Sequence, residues 1–176
     1  MRYEVRIGGF GGQGIITMGH LLGTAASLHL GLKTAMTESY GPEARGGACK
    51  TDIVVSDAPI DYPKTISLDC LVAMNPDAYN SYVNDVRRGG TVIYDSSLFE
   101  IEERVVGVKY YGVESTRIAQ DLGAAQTTNI VMLGALSRVT RIFPINALGN
   151  AVRERFSKSA EINLSALKAG AEAVNP

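Results

Sequence analysis

The stretch RYEVRIGGFGGQGIITMGHLL, residues 2–22, decides the expected fold. Apolar and charged side chains alternate over residues 2–7, with the period of two that is typical of a β-strand. A glycine-rich turn follows, and apolar residues then recur at helical spacing over residues 13–30, where Gly31 is expected to end the helix. A strand that passes through such a turn into a helix indicates the first unit of an α/β sheet.

The next two strands are predicted at residues 32–37 and 47–56, from the segments LKTAMT and GACKTDIVVS. Only about ten residues join them, with glycine and proline and no helical pattern. A parallel crossover normally needs a dozen residues or more. The third strand is therefore predicted to run antiparallel to the second.

Further along the chain, short apolar strands alternate with helical patterns. The remaining strands are predicted at residues 68–75, 90–97 and 103–113. Helices are predicted at residues 77–87, 115–123, 127–143, 146–156 and 160–174. The long helix has an apolar stripe of Ile130, Leu133, Leu136, Val139 and Phe143. The sequence thus predicts one α/β domain over residues 1–176, with a mostly parallel Rossmann-like sheet, one antiparallel strand and a helical C-terminal third.

Composition excludes several classes of function. The formal net charge is -1, and no cluster of Lys and Arg indicates a nucleic-acid surface. No apolar run reaches the ~18 residues of a membrane span, and the first strand begins too early for a signal peptide, so a cytoplasmic protein is expected. The two cysteines, Cys49 and Cys70, are too few for an iron–sulfur cluster and are interpreted as buried thiols.

The first glycine-rich loop is the first candidate site. Residues 9–14 match G-x-G-x-x-G, a weak dinucleotide-binding signal by itself. The free N–H groups at the start of the helix favour an anion, whereas glycines that serve only helix–sheet packing are an equal alternative. A nicotinamide site also needs an acidic residue near the end of strand two. Glu38 stands there, but it leads into a turn and not into another βα unit, so the fingerprint is only half met.

The second candidate site is the connection that contains YGPEARGG, residues 40–47. Arg45 there is either a surface charge or a partner for a phosphate or carboxylate. Structural roles are predicted for His20 and His29, for a turn at residues 95–97 and for a helix N-cap at residues 127–129. No nucleophile–base set is present, so catalysis by this chain alone is not expected.

Together these segments resemble the gamma chain of 2-oxoacid:ferredoxin oxidoreductases, the 2-oxoglutarate/pyruvate ferredoxin oxidoreductase family. The resemblance covers essentially the whole chain. It rests on GFGGQGI, on SYGPEARGGACKTDIVVSD followed by IDYP, and on LVAMN, VIYDSS and TTNIVMLGAL in that order. The two glycine-containing motifs at this spacing make the resemblance specific.

The resemblance implies a subunit of an enzyme that decarboxylates a 2-oxoacid oxidatively, passing the acyl group to coenzyme A and two electrons to ferredoxin. It implies that thiamine-binding alpha and beta chains and an iron–sulfur chain carry thiamine diphosphate, magnesium and the clusters. This chain would bind no cofactor alone and would receive coenzyme A in the assembled enzyme. The residues implied to face that ligand are Gly11, Gly12, Gln13 and Gly14, with Tyr40, Gly41, Glu43, Arg45, Gly46 and Gly47 opposite.

Three further expectations accompany the resemblance. The charged face of the first strand is interpreted as a polar contact with a partner chain. The isolated chain is expected to self-associate as a homodimer. The 2-oxoglutarate type is favoured, although the pyruvate, branched-chain and indolepyruvate types share much of the pattern. A purely structural scaffold subunit and a stand-alone NAD(P)-binding oxidoreductase remain as alternatives.

Overall fold

The computed structural model describes residues 1–42 and 46–176. Its six strands are β1 (Arg2–Phe10), β2 (Lys33–Tyr40), β3 (Ala48–Ser56), β4 (Leu68–Ala73), β5 (Val86–Asp95) and β6 (Lys109–Val113). Its six α-helices are α1 (Ile15–Thr24), α2 (Pro76–Tyr82), α3 (Ser115–Asp121), α4 (Thr128–Thr140), α5 (Ile145–Arg155) and α6 (Ala160–Glu172). The strands form one sheet in the order β2-β3-β1-β4-β5-β6.

The third strand runs against all the others. β3 pairs antiparallel with both β2 and β1, whereas β1, β4, β5 and β6 pair parallel in turn. The predicted antiparallel strand and the mostly parallel sheet are therefore confirmed. The insertion of β3 between β1 and β2 leaves β2 at the edge of the sheet.

The two faces of the sheet bury two separate apolar cores. The larger core packs α1, α4, α5 and α6 against one face and includes the fully buried Ile7, Ile53 and Phe143. The smaller core packs α2 against β4 and β5 on the other face. Helix α4 buries Ile130, Leu133 and Leu136 as predicted, with Val139 partly buried. The helix ends at Thr140 and not at residue 143, because Arg141 turns the chain in the left-handed region, so the buried Phe143 lies beyond it.

The charged face of β1 forms contacts within this chain, so its interpretation as a contact with a partner chain is wrong. Arg6 is 7% exposed and binds both carboxylate oxygens of Asp52 on β3, at 2.7 and 2.9 Å. Burial alone would lower the pKa of Arg6, but the hydrogen bonds and charges of Asp52 and Asp85 raise it. Glu4 is buried too and accepts the backbone N–H groups of Ile66 and Ser67. These side chains hold the segment between β3 and β4 against the sheet.

Several predicted element boundaries are corrected. The first helix continues from α1 into a π-helical turn, Ala25–His29. The helix predicted at residues 77–87 ends earlier because the chain is already extended at Val86, where β5 begins. β6 begins at Lys109 and not at residue 103, because the left-handed Gly107, with φ +85°, turns the apolar segment before it.

Helices α4 and α6 cross at two glycines. A Cβ atom on Gly134 would lie 1.9 Å from the carbonyl oxygen of Leu167, and one on Gly170 would lie 1.7 Å from that of Val131. Both distances are far inside van der Waals contact. The two backbones can approach this closely only because neither residue has a side chain.

We expect Gly170→Ala to lower the free energy of unfolding by about 1–3 kcal/mol, because the two helices must separate to admit the methyl group. Gly23→Ala is the matched control, since a Cβ there meets no atom within 4 Å. It should leave stability unchanged or raise it by up to ~1 kcal/mol through helix propensity. Urea denaturation of both variants tests this, and equal stability would show that the crossing is not tightly packed.

Candidate functional site

The first glycine-rich loop leaves the amino end of α1 open. Gly12 and Gly14 have φ values of +93° and +75°, in the left-handed region that favours glycine. Gly14 is the N-cap of α1, and no side chain of the described residues caps that helix. The first backbone N–H groups of α1 are therefore available to an acceptor outside the helix.

The side-chain amide of Gln13 is used within the chain. Its Oε1 accepts hydrogen bonds from the Phe10 backbone N–H at 2.7 Å and from Asn75 Nδ2 at 3.1 Å. Its Nε2 donates to the carbonyl oxygen of Met74 at 3.2 Å. Because Phe10 ends β1 and Met74 follows β4, this amide joins two neighbouring parallel strands at their carboxyl ends. These contacts give Gln13 a positioning role, and its predicted contact with a ligand stays a prediction.

The two predicted loops meet, as the sequence led us to expect. The backbone N–H of Gly11 donates to the carbonyl oxygen of Gly47 at 2.9 Å. A Cβ on Gly11 would lie 3.2 Å from the backbone nitrogen of Gly46. On the second loop, Gly41 donates to the carbonyl oxygen of Ala48 at 2.6 Å. The loops are thus joined backbone to backbone.

The structure describes only one of the three remaining members of the second loop. Tyr40, at the end of the edge strand, is 65% exposed, and desolvation together with the charge of Glu38 raises its pKa. Glu43 and Arg45 lie outside the described residues. Their predicted roles stay predictions.

A cavity of about 220 Å³ lies beside the first loop. It is lined by Gly12, Gln13, Gly14, Met74, Thr116, Ala125, Gln126, Thr128 and Asn129. Every one of these residues is uncharged, and the polar ones have amide or hydroxyl groups. The amino ends of α1 and α4 both reach the cavity, which makes it suitable for an anion.

Asn129 connects α4 to the first loop. Its Nδ2 lies 3.4 Å from the carbonyl oxygen of Gly14, and its Oδ1 accepts the N–H of Ile130 at 3.0 Å. A Cβ on Gly14 would lie 2.3 Å from Nδ2, so Asn129 fits only against a glycine. Thr127 is the N-cap residue as predicted, but its hydroxyl donates to the carbonyl oxygen of Ala124 and does not cap the helix.

The remaining sequence candidates have structural contacts. Asp95 is fully buried and accepts from the N–H and hydroxyl of Thr116, while Ser97 Oγ accepts the N–H of Arg117, so both cap α3. His20 lies 3.4 Å from Glu38. In residues 1–42 and 46–176 no group of three His, Cys, Asp or Glu side chains could hold a metal.

Two further observations concern the cysteines and the length of the helices. Cys49 and Cys70 are free and buried, which confirms their interpretation, and burial raises the pKa of both thiols. Within the part of the chain that the structure describes, no helix is long and apolar enough to cross a membrane.

Of the predicted residues, Gly12, Gln13 and Gly14 line the cavity, and Gly11 joins Gly46 and Gly47 at the contact between the loops. The sequence analysis did not predict that Met74, Thr116, Gln126, Thr128 or Asn129 lines the cavity. The turn predicted at residues 95–97 follows β5, and the polar run at residues 127–129 before a long apolar helix was the one sequence signal close to this cavity.

Comparisons with known proteins match nearly the whole length of this chain. A family model described as pyruvate ferredoxin/flavodoxin oxidoreductase matches residues 4–173. The 2-oxoglutarate synthase subunit KorC of Methanothermobacter thermautotrophicus is 45% identical to this chain, over 99% of this chain and 96% of its own length.

Two solved structures have the same fold. The gamma subunit of a keto/oxoacid ferredoxin oxidoreductase from Geobacter sulfurreducens has a TM-score of 0.84 and 33% identity, over 97% of each chain. The 2-oxoglutarate:ferredoxin oxidoreductase of Magnetococcus marinus, solved with 2-oxoglutarate, coenzyme A and succinyl-CoA bound, has a TM-score of 0.89 and 26% identity. It matches 99% of this chain but only 32% of its own.

We expect Gln13→Ala to lower the free energy of unfolding by about 1–3 kcal/mol, because buried partners lose their hydrogen bonds. Hydrogen exchange at the Phe10 amide should become faster. Gln126→Ala is the control, since Gln126 lines the same cavity and is exposed. If the two variants show the same stability and the same exchange at Phe10, Gln13 does not position the loop.

Proposed function

Because the chain belongs to the pyruvate ferredoxin/flavodoxin oxidoreductase family, as a gamma-type subunit of a 2-oxoacid:ferredoxin oxidoreductase, we propose that it serves an enzyme of the 2-oxoglutarate type and takes part in binding coenzyme A. The resemblance predicted from the sequence is confirmed by these comparisons. In the proposed reaction, the 2-oxoacid loses CO2, its acyl group passes to the thiol of coenzyme A, and two electrons pass to ferredoxin.

We propose that the reaction itself takes place on other chains of the enzyme. Thiamine diphosphate, magnesium and iron–sulfur clusters would be held by thiamine-binding alpha and beta chains and an iron–sulfur chain. The residues of this chain do not fit a cluster, because its two cysteines are buried on different strands. We therefore derive no step of thiamine or redox chemistry on this chain.

The observation that carries the proposal for coenzyme A is the uncharged cavity where α1 and α4 begin. The uncapped amino end of α1 offers N–H groups, and the amino end of α4 also reaches the cavity. None of the described residues that line the cavity has a carboxylate to repel a phosphate. A complete drug-sized ligand normally occupies about 300–1,000 Å³. A cavity of about 220 Å³ suits the diphosphate only, so the rest of coenzyme A would lie on a surface completed by partner chains.

The second loop would supply the opposite side of this site. Gly46 and Gly47 lie against Gly11, and Arg45 precedes them directly in the sequence. We propose that Arg45 pairs with a phosphate of coenzyme A, with Tyr40, Gly41 and Glu43 on the same lip. A guanidinium is the side chain best suited to such a contact.

The lengths of the related proteins support the proposal that this chain assembles with partner chains. The Magnetococcus marinus enzyme has this domain on a chain roughly three times as long, as the 32% coverage shows. The Geobacter sulfurreducens gamma subunit matches this chain over 97% of its own length. A subunit of this kind would therefore obtain as separate chains what the longer relative has in one.

A purely structural scaffold subunit is the second candidate. The in-chain hydrogen bonds of Gln13 and the backbone contact between Gly11 and Gly47 favour it, since both are also what a packing loop would show. The two candidates differ in whether changes at the cavity alter the requirement for coenzyme A.

The purified chain alone should show no oxidation of any 2-oxoacid with coenzyme A and a ferredoxin-like acceptor. Activity should appear when the thiamine-binding and iron–sulfur chains are added. An acceptor-reduction assay with 2-oxoglutarate, with and without those chains, measures this. Turnover by this chain alone would contradict the proposal.

In the assembled enzyme, Arg45→Ala should raise the KM for coenzyme A roughly tenfold to a hundredfold, since a charge-assisted contact contributes about 1.5–3 kcal/mol. Gly12→Val should act similarly, because its Cβ would meet no atom of the described residues within 4 Å and would project into the space proposed for the phosphate, and because the φ of +93° is strained for valine. The KM for 2-oxoglutarate should stay constant.

Lys33→Ala is the matched control, since it removes a positive charge at the opposite end of β2. Melting temperatures identify any variant that loses its fold. If Arg45→Ala and Gly12→Val are folded and bind coenzyme A normally, the scaffold candidate replaces the proposed one.

A further inference from the structure

We propose that a groove at the far end of α4 docks a thiamine-binding partner chain through a segment with an apolar side chain flanked by carboxylates. This inference rests on the proposed function, because it assumes that such chains assemble with this one. The groove lies between the carboxyl ends of α4 and α6 and the start of α5, and its volume is about 590 Å³. We call it the C-terminal groove, and its residues include Arg138, Arg141, Ile145, Lys168, Ala171 and Val174.

The C-terminal groove is separate from the cavity proposed for coenzyme A. Thr128 and Asn129, at the amino end of α4, line that cavity, whereas Arg138 and Arg141 at the other end line the groove. Thirteen helical residues at about 1.5 Å each place the two about 20 Å apart. A change in the groove therefore leaves the coenzyme A cavity intact.

The rim of the groove has excess positive charge. Within residues 1–42 and 46–176, no carboxylate oxygen lies within 4 Å of the guanidinium of Arg138 or Arg141. Glu172 also lines the groove and lies 3.8 Å from Lys168, so it offsets the charge of that lysine and leaves Arg138 and Arg141 as the excess positive charge. The free carbonyl groups at the carboxyl end of α4 attract part of this positive charge. Two guanidinium groups nevertheless remain available to carboxylates of a partner.

Arg141 occupies a backbone position where its side chain is not needed for folding. It caps α4 in the left-handed region, with φ 58°, and it is the one non-glycine residue with positive φ in the described part of the chain. Glycine or asparagine is the usual residue there, because larger side chains are strained. An arginine at such a position points to a use for its guanidinium outside the fold.

The floor of the groove is apolar and open. Pro144, Ile145, Ala171 and Val174 supply it, and Ile145 is 43% exposed although it begins a helix whose other apolar residues are buried. An apolar floor with a basic rim fits a partner segment that has an apolar anchor residue between acidic residues. The binding energy of an interface is usually concentrated in such buried anchor residues.

A second copy of this chain is the other conceivable occupant. The segment that follows β5 has Leu98 and Val106 exposed beside Glu100, Glu102 and Glu103, so its chemistry also matches the groove. Such a contact would join two different surfaces head to tail and would extend without closing unless the geometry formed a ring. We therefore assign the groove to a partner chain and make self-association an outcome of the test.

The test compares binding of full-length variants to the purified thiamine-binding partner chains. Arg138→Glu combined with Arg141→Glu should weaken binding roughly tenfold to a hundredfold, and Ile145→Asp should weaken it similarly. Arg141→Gly should weaken binding several-fold while keeping or raising the melting temperature, because it removes the guanidinium and relieves the left-handed strain. Lys158→Glu, beyond the opposite end of α6, is a charge-reversal control outside the groove and should bind normally.

The possible outcomes are distinct. Weaker binding by folded groove variants, with a normal Lys158→Glu, supports the proposal. If wild type and groove variants bind equally well, the groove proposal is overturned and the proposed function stands. If wild type binds no partner chain, the proposed function fails and the groove proposal with it. Loss of self-association alone, seen by light scattering, would assign the groove to a second copy and would also overturn the proposal.

Discussion

The ion pair between Arg6 and Asp52 holds together the part of the sheet on which the candidate site depends. The two residues are direct register partners on β1 and β3, and both are buried. A buried charge that loses its partner costs several kcal/mol, so the pair requires this register. The same register brings Gly47, just before β3, to Gly11, just after β1. The meeting of the two loops is thus a consequence of a charge pair five residues away along each strand.

Local sequence patterns predicted most of the fold because they report on local physics. The length of the connection before β3 sufficed to predict an antiparallel strand, and alternation with glycine stops predicted the order of elements. The errors arose where the chain depends on distant residues. Arg6 could not be assigned a partner from the sequence, since Asp52 lies 46 positions away. The valines before β6 read as strand, because an apolar pattern does not show the turn at Gly107.

The candidate site was predictable only on one side. Glycines with an obligatory left-handed conformation leave a recognisable pattern, and Gly12 and Gly14 were found in this way. The place of Asn129 in the site was not predicted. Asn129 lies 115 residues from Gly14 along the chain, and only the packing of α4 brings the two together. Gln13 shows a different limit. An amide in a glycine-rich loop has the same sequence signature whether it faces a ligand or, as here, fixes the end of a neighbouring strand.

The place of β3 in the sheet has a consequence for any attempt to give this protein a nicotinamide nucleotide. In the dinucleotide fold, strand two lies beside strand one, and its terminal acid reaches the ribose. Here β3 separates them, so the end of β2 with Glu38 lies two strand spacings, about 10 Å, from β1. The obstacle is the order of strands and not the identity of a side chain. No point substitution in the loops would remove it, because the order of the strands separates Glu38 from β1 whatever residues the loops contain.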